Sequence, residues 1–265
     1  MRYIVGLLMF LVASCDKPGQ YITVHGTKIY YEEYGSGTPL LLLQGGGINR
    51  SAKDFSQCVP ELAKHYRVIV PDTPGQGRSE LADSLSYELL TAYTSSLIDQ
   101  LKLDSAYVIG FSDGAIVGLL LAEKHSDKVK KVIAVGANNG VSAVLPPGID
   151  PSVVTPFTFE DWENRNKDVI AEYMKILPRD YKKLFNDENK MWYAAEYFPN
   201  ALLERINIPV MIAQGDHDDI RVEHAVQLHR LVKNSQLCII PNTSHDVFEE
   251  QPELITKISI KFFEE

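Results

Sequence analysis

AYVIGFSDGAIVGLLLAEKH, residues 106–125, begins as an apolar run without polar alternation and continues at helical spacing. An unbroken run such as Ala106 to Phe111 is what a strand buried on both faces looks like. The stretch from Asp113 to His125 reads as a helix, so Gly110-Phe111-Ser112-Asp113-Gly114 falls on a strand-to-helix turn. This is G-x-S-x-G in the context that presents a serine as a nucleophile. The backbone at the serine is strained, and the flanking positions must pass neighbouring chain without side chains. Ser112 Oγ then projects above the sheet at a helix N-terminus, whose dipole favours developing negative charge.

Outward from this turn the same grammar repeats. Pro39 to Gln44, Arg67 to Pro71, Lys131 to Ala137, Pro209 to Gly215 and Gln236 to Pro241 are further continuous apolar runs. Helical segments at Asp54 to His65, Tyr87 to Leu101, Glu223 to Val232 and Pro252 to Phe263 separate them. Before them, ITVHG and KIYYEEYG alternate and are rich in Tyr, Ile and Val, which predicts a hairpin turning at Gly26-Thr27. Two antiparallel strands followed by a βαβ series make an α/β protein with an eight-stranded, mostly parallel sheet flanked by helices. Residues 142–205 break the alternation: they hold six of the fourteen prolines, many aromatics and no strand-like run. Their aromatic content predicts a packed helical lid rather than a disordered linker. The core is then 21–141 together with 206–265.

A serine hydroxyl needs a histidine base, itself oriented by a carboxylate. Of seven histidines, His245 lies between the last strand-like run and the last helix, on the same carboxyl edge as Ser112. The others sit in the hairpin, at helix ends, on the penultimate helix or in QGDHDD, where surface or capping roles suffice. The acid is expected in QGDHDD, residues 214–219, which offers Asp216, Asp218 and Asp219. An oxyanion needs two preorganised donors. One is the backbone N–H of Asp113; the other is expected from Gln44-Gly45-Gly46-Gly47, with Gly46 the chosen donor. A dinucleotide-binding reading of these glycines requires another at position 50, which is Arg50. His224 and the Asp-rich loop could suggest a metal site, but the loop is already used by the acid and no further ligand cluster is visible. No metal or cofactor is expected.

From about Tyr21 onward the chain resembles the α/β-hydrolase-fold serine hydrolases of the esterase/lipase-like superfamily. GFSDGA, QGDHDD and PNTSH resemble that family's elbow, acid and histidine segments, and PDTPGQGRS (Pro71 to Ser79) resembles its D-x-x-G-x-G-x-S segment. In relatives the acid stands three residues after the glycine that ends the strand, which here is Asp218. The resemblance implies hydrolysis of an ester, lactone, thioester or related acyl bond of a small molecule through Ser112, His245 and Asp218, without a cofactor. Gln44 departs from the pattern, since relatives usually carry His there. Dehalogenases and epoxide hydrolases of the superfamily carry Asp at the elbow, and Ser112 speaks against both. A non-catalytic ligand receptor on this fold and an acyltransferase are the alternative functions.

At 265 residues, 45% hydrophobic and 23% charged, the chain is an ordinary globular protein with a sizeable core, which excludes disorder, collagen and multispan architectures. A net charge of −9 has the wrong sign for a nucleic-acid partner. Three cysteines form no disulfide framework. MRYIVGLLMFLVASC carries Arg2, an apolar stretch about half the ~20 residues a bilayer span needs, and small residues before Cys15. This resembles a bacterial lipobox. The expectation is a signal peptide over residues 1–14, a lipidated Cys15, a linker over 15–20, and export to a lipid-anchored position in the periplasm or on the outer surface. Losing Arg2 brings the net charge from −9 to −10, so membrane attachment would rest on the acyl chains and not on anionic lipid.

Overall fold

The structure, a computed structural model, describes residues 17–265, so the apolar N-terminal run and Cys15 lie outside the described residues. Strands β1 (Lys17–Val24) and β2 (Thr27–Gly35) form the antiparallel hairpin. Its turn is at His25-Gly26, one residue earlier than predicted: both have positive φ, 47° and 81°, as a two-residue turn matched to strand twist requires. Thr27 already pairs with Val24. The first strand also starts at Lys17, inside the stretch read as linker. A register shift between Lys17 and Gln20 accommodates Pro18, which has no N–H to give and is tolerated on an edge strand.

The chain then alternates β3 (Pro39–Leu43), α1 (Val59–Leu62), β4 (Arg67–Pro71), α2 (Tyr87–Gln100), β5 (Ala106–Phe111), α3 (Asp113–Lys124) and β6 (Val129–Val135). An insertion follows with α4 (Phe159–Arg165), α5 (Lys167–Ile176), α6 (Tyr181–Trp192) and α7 (Asn200–Leu203). The last part is β7 (Val210–Gly215), α8 (Val222–Leu231), β8 (Ser235–Ile240), α9 (Val247–Glu250) and α10 (Pro252–Glu264). The helix predicted over Asp54 to His65 is instead a 3₁₀ turn, Ala52–Phe55, followed by the short α1. Pro60 explains the break, since a residue without an N–H fits only the first turn of a helix.

The eight strands lie in the order β1-β2-β4-β3-β5-β6-β7-β8; β2 runs antiparallel to both neighbours and every other pair is parallel. The order reverses where β3 lies between β4 and β5, and a crevice at the carboxyl ends of strands at such a switch is where ligands bind in open α/β sheets. The glycine loop after β3 and Ser112 after β5 both stand there. Beneath them Leu40, Leu41, Leu42, Val108 and Ile109 are buried on both faces of the sheet. Helix α3 is apolar all round, buried from Asp113 to Ala122, which fits a helix packed into the middle of one layer.

The insertion is helical throughout its ordered elements. Thr158 and Asp180 cap α4 and α6 by accepting from Asp161 N–H and Lys183 N–H. Phe159, Trp162, Tyr181 and Phe185 pack ring against ring, with centroids 5.0–6.5 Å apart. Ile170, Tyr173 and Leu184 bury against Ile48, just past the glycine loop.

Candidate active site

Ser112 has φ 51° and ψ −116°, a conformation disfavoured for any residue with a Cβ, and it stands as the N-cap of α3 without capping it through its side chain. Its Oγ is therefore not spent on the helix. The two flanking glycines are sterically required. A Cβ on Gly110 would lie 2.2 Å from the Gly114 carbonyl oxygen, and one on Gly114 would lie 2.1 Å from that of Leu43. The N–H of Asp113 belongs to the first turn of α3, where N–H groups lack intrahelical acceptors.

His245 sits on the loop between β8 and α9. Its Nδ1 lies 2.9 and 3.0 Å from the two carboxylate oxygens of Asp218, on the loop after β7. Asp218 is fully buried at its side chain, and its Oδ1 also accepts from Ile220 N–H at 2.8 Å. Burial pulls the imidazole down, but the hydrogen bond and charge of Asp218 outweigh it and hold the His245 pKa above the ordinary value. The imidazole ring stands 5.0 Å from that of Phe111, the residue before Ser112. Gly136, at φ 64°, leaves room for it: a Cβ there would meet His245 Cε1 at 2.8 Å. His245 Nδ1 bonds to neither of the other two acids of the loop. Asp216 is held low by the Thr243 N–H that it accepts, and Asp219 is exposed ahead of α8.

The glycine loop is gripped by carboxyl groups that the sequence reading did not single out. Gly47 N–H donates to Glu188 Oε1 at 3.1 Å, and the Asp54 carboxyl lies near enough to Gly45 that the glycine N–H offsets part of the burial that raises the Asp54 pKa. Gly46 is the middle amide, and among the described residues it has no carboxylate acceptor. It has no room for a side chain either, since a Cβ would come within 2.0 Å of Asp113 Oδ2 and 2.8 Å of the Trp192 ring. Asp113 was expected to matter through its backbone alone. Its side chain is buried, with Tyr87 Oη donating to Oδ1 and Trp192 Nε1 to Oδ2, both at 2.8 Å, and desolvation raises its pKa. Gln44, where relatives usually carry His, is buried and donates to Gln76 Oε1 at 2.7 Å. The signal that could have exposed these partners is a Glu and a Trp four residues apart in a helical stretch, Glu188 and Trp192, but their facing the glycine loop is a property of the tertiary fold.

A cavity of about 340 Å³ opens beside Ser112 between the core and the insertion. Tyr87, Val141, Leu145, Trp192, Tyr193 and Tyr197 supply most of its apolar wall, and Asn138 adds a buried Oδ1 without a hydrogen-bond partner. The lining contains no Lys or Arg. Trp162 is not part of it. Of the remaining chemical groups, Cys58 is buried and Cys238 half-buried. Among the described residues no group of three or more His, Cys, Asp or Glu could hold a metal ion.

Residues 40–258 match the model of the alpha/beta hydrolase family. The chain is 34% identical to the pimeloyl-(acyl-carrier protein) methyl ester esterase of Vibrio campbellii, over 85% of this chain and 87% of that one. It is 25% identical to the 2-hydroxy-6-oxo-2,4-heptadienoate hydrolase of Pseudomonas putida, over 88% and 91%. In fold it is similar to a meta-cleavage product hydrolase from Pseudomonas fluorescens (TM-score 0.76, 20% identity, 93% and 97% covered). It is also similar in fold to an enol-lactonase from Burkholderia xenovorans (TM-score 0.73, 23% identity, 93% and 100% covered). The chain belongs to the alpha/beta hydrolase family.

Proposed function

We propose that the protein is a serine hydrolase that cleaves a carboxylic ester or a related acyl bond, such as a lactone or thioester, through an acyl-enzyme on Ser112. The observation that carries this reading is the strained Ser112 with an uncommitted hydroxyl on the same sheet edge as a buried, hydrogen-bonded Asp218–His245 pair. Asp218 fixes Nδ1 as the protonated nitrogen, which leaves His245 Nε2 as the base. Ser112 Oγ bonds to the carbonyl carbon as its proton passes to Nε2, and the carbonyl π electrons move onto oxygen. The N–H groups of Gly46 and Asp113 hold that oxyanion. Collapse expels the alcohol or thiol, which takes the proton from His245. Water then repeats the sequence on the acyl-enzyme and releases the acid.

Among relatives, the pimeloyl-(acyl-carrier protein) methyl ester esterase acts on an ester, in keeping with acyl chemistry of this kind. An aromatic and aliphatic cavity without Lys or Arg favours an uncharged acyl group, with the Asn138 acceptor as a polar handle. Hydrolysis of p-nitrophenyl esters of graded acyl length tests this. Turnover with an initial burst in wild type and none in Ser112→Ala is expected; equal rates in both would overturn it.

We also propose, from LVASC alone, that Cys15 carries a lipid and anchors the exported protein to a bacterial membrane. Mass spectrometry of membrane-fraction protein should find a diacylglyceryl-modified N-terminus at Cys15. A mature chain starting at Met1 would refute it.

A further inference from the structure

Glu188 and Trp192 lie one turn apart on α6, a spacing that puts both on one face of the helix. That face meets the glycine loop and the start of α3 together. Glu188 is 2% exposed, and its Oε1 accepts from Gly47 N–H at 3.1 Å and from Gln76 Nε2 at 2.8 Å. Gln76 in turn accepts from Gln44 Nε2, so the loop is tied at its first and last residues into one buried chain of hydrogen bonds. Four residues on, Trp192 Nε1 donates to Asp113 Oδ2, and its ring closes over Gly46. One face of one helix in the insertion thus touches both segments whose amides, Gly46 and Asp113, would hold an oxyanion.

We propose that Glu188 is a positioning residue for acyl transfer, fixing the Gly46–Gly47 peptide so that the Gly46 and Asp113 amides converge on one point, with Trp192 securing the same helix to Asp113. The proposal rests on the reading of Ser112 as nucleophile. The insertion is then a working part of the oxyanion hole as well as a wall of the cavity. Donors of this kind act by being held in place before charge develops, so a loop left free to rock loses rate in kcat rather than binding.

The electrostatics give the arrangement a signature. The titratable groups facing Glu188 are Asp113 from α3, Tyr87 from α2, Tyr173 from α5 and Asp187 on its own helix, all acids; Asp113 in turn faces His245. Burial, with Asp113 nearby, pushes the Glu188 carboxyl up to about 8, so near neutrality it accepts Gly47 N–H without bringing a negative charge to the hole. Above that pH an anion forms beside the place where the oxyanion must form.

Steady-state kcat and KM for a p-nitrophenyl ester, measured from pH 6 to 10, test this on wild type, Glu188→Gln and Glu188→Leu. Glu188→Leu should lower kcat by at least about tenfold with KM within about twofold, since one lost oxyanion donor costs about 10²–10³. Glu188→Gln, which keeps the acceptor and cannot ionise, should recover most of that loss and should lack the fall in kcat that wild type shows above about pH 8. If Glu188→Leu does not fold, judged by circular dichroism, the Glu188→Gln profile decides. Wild-type kcat and pH profiles in the variants, or a change confined to KM, would overturn the proposal while leaving the Ser112 reading intact. Wild-type turnover that persists in Ser112→Ala would overturn both.

Discussion

His245 and Asp218 are joined through Nδ1 and both carboxylate oxygens, at 2.9 and 3.0 Å, with the acid fully buried and the imidazole one-quarter exposed. The pairing fixes the tautomer from the buried side and leaves the opposite ring nitrogen for chemistry. It also separates three acids that a six-residue stretch places within four positions of one another. Asp218→Asn is expected to lower kcat by on the order of 10³ or more in a folded protein. Asp216→Asn keeps an oxygen that can accept Thr243 N–H and loses only the charge, and Asp219→Asn alters an exposed group, so each should cost less than about tenfold. Steady-state kinetics on the three variants, with a thermal melt as the folding check, decide among them; a crippling effect at either neighbour contradicts the pairing.

With His245 as the proposed base, the same pair should set the acid limb of activity. The carboxylate of Asp218 outweighs burial and holds the imidazole pKa above its ordinary value. The base must be neutral, so kcat/KM should rise with pH as His245 loses its proton. In Asp218→Asn the attraction is gone and burial remains, so the limb should move to lower pH in the residual activity. A limb unmoved or moved upward would mean that another group is titrating.

Glu188 makes stability depend on pH with a definite sign. Its folded pKa, about 8, lies above the ordinary carboxyl value of 4.5, so the folded state holds a proton that the unfolded chain releases. Its contribution is fully present below about pH 4.5, falls as pH rises toward about 8, and is flat above. The loss is on the order of a few kcal/mol. Urea denaturation from pH 5 to 9 should show that slope in wild type and a shallower one in Glu188→Gln.

The two tryptophans of the insertion separate in role. Trp192 lines the cavity beside Ser112, whereas Trp162 packs on Phe159, Tyr181 and Phe185 away from it. Trp192→Ala should reorder the preference among p-nitrophenyl esters of different acyl length. Trp162→Ala should lower the melting temperature and leave that order as it is. Kinetics over the ester series, with melts on both, check this.

The parallel core was legible because strands buried on both faces leave continuous apolar runs, and β4 and β5 fall where Arg67 to Pro71 and Ala106 to Phe111 placed them. Ends set by backbone detail were less so: Gly26-Thr27 looks like a turn, but positive φ at His25 puts it one residue earlier, and Pro60 divides an otherwise helical pattern. The proximity of Asp218 to His245 could be anticipated from loops on one sheet edge. The buried carboxyls around Gly46 could not, since Asp54, Asp113 and Glu188 look like solvated acids along the chain and meet only in the fold. Helical periodicity shows which residues share a face but not what that face meets.

The most direct test of covalent chemistry at Ser112 is labelling by a fluorophosphonate probe, read by mass spectrometry of the modified peptide. The expected result is one adduct, on the serine of GFSDG, in wild type and none in Ser112→Ala, with labelling slowed in His245→Ala. Equal labelling of wild type and Ser112→Ala, or an adduct on any other residue, would contradict the assignment of the nucleophile.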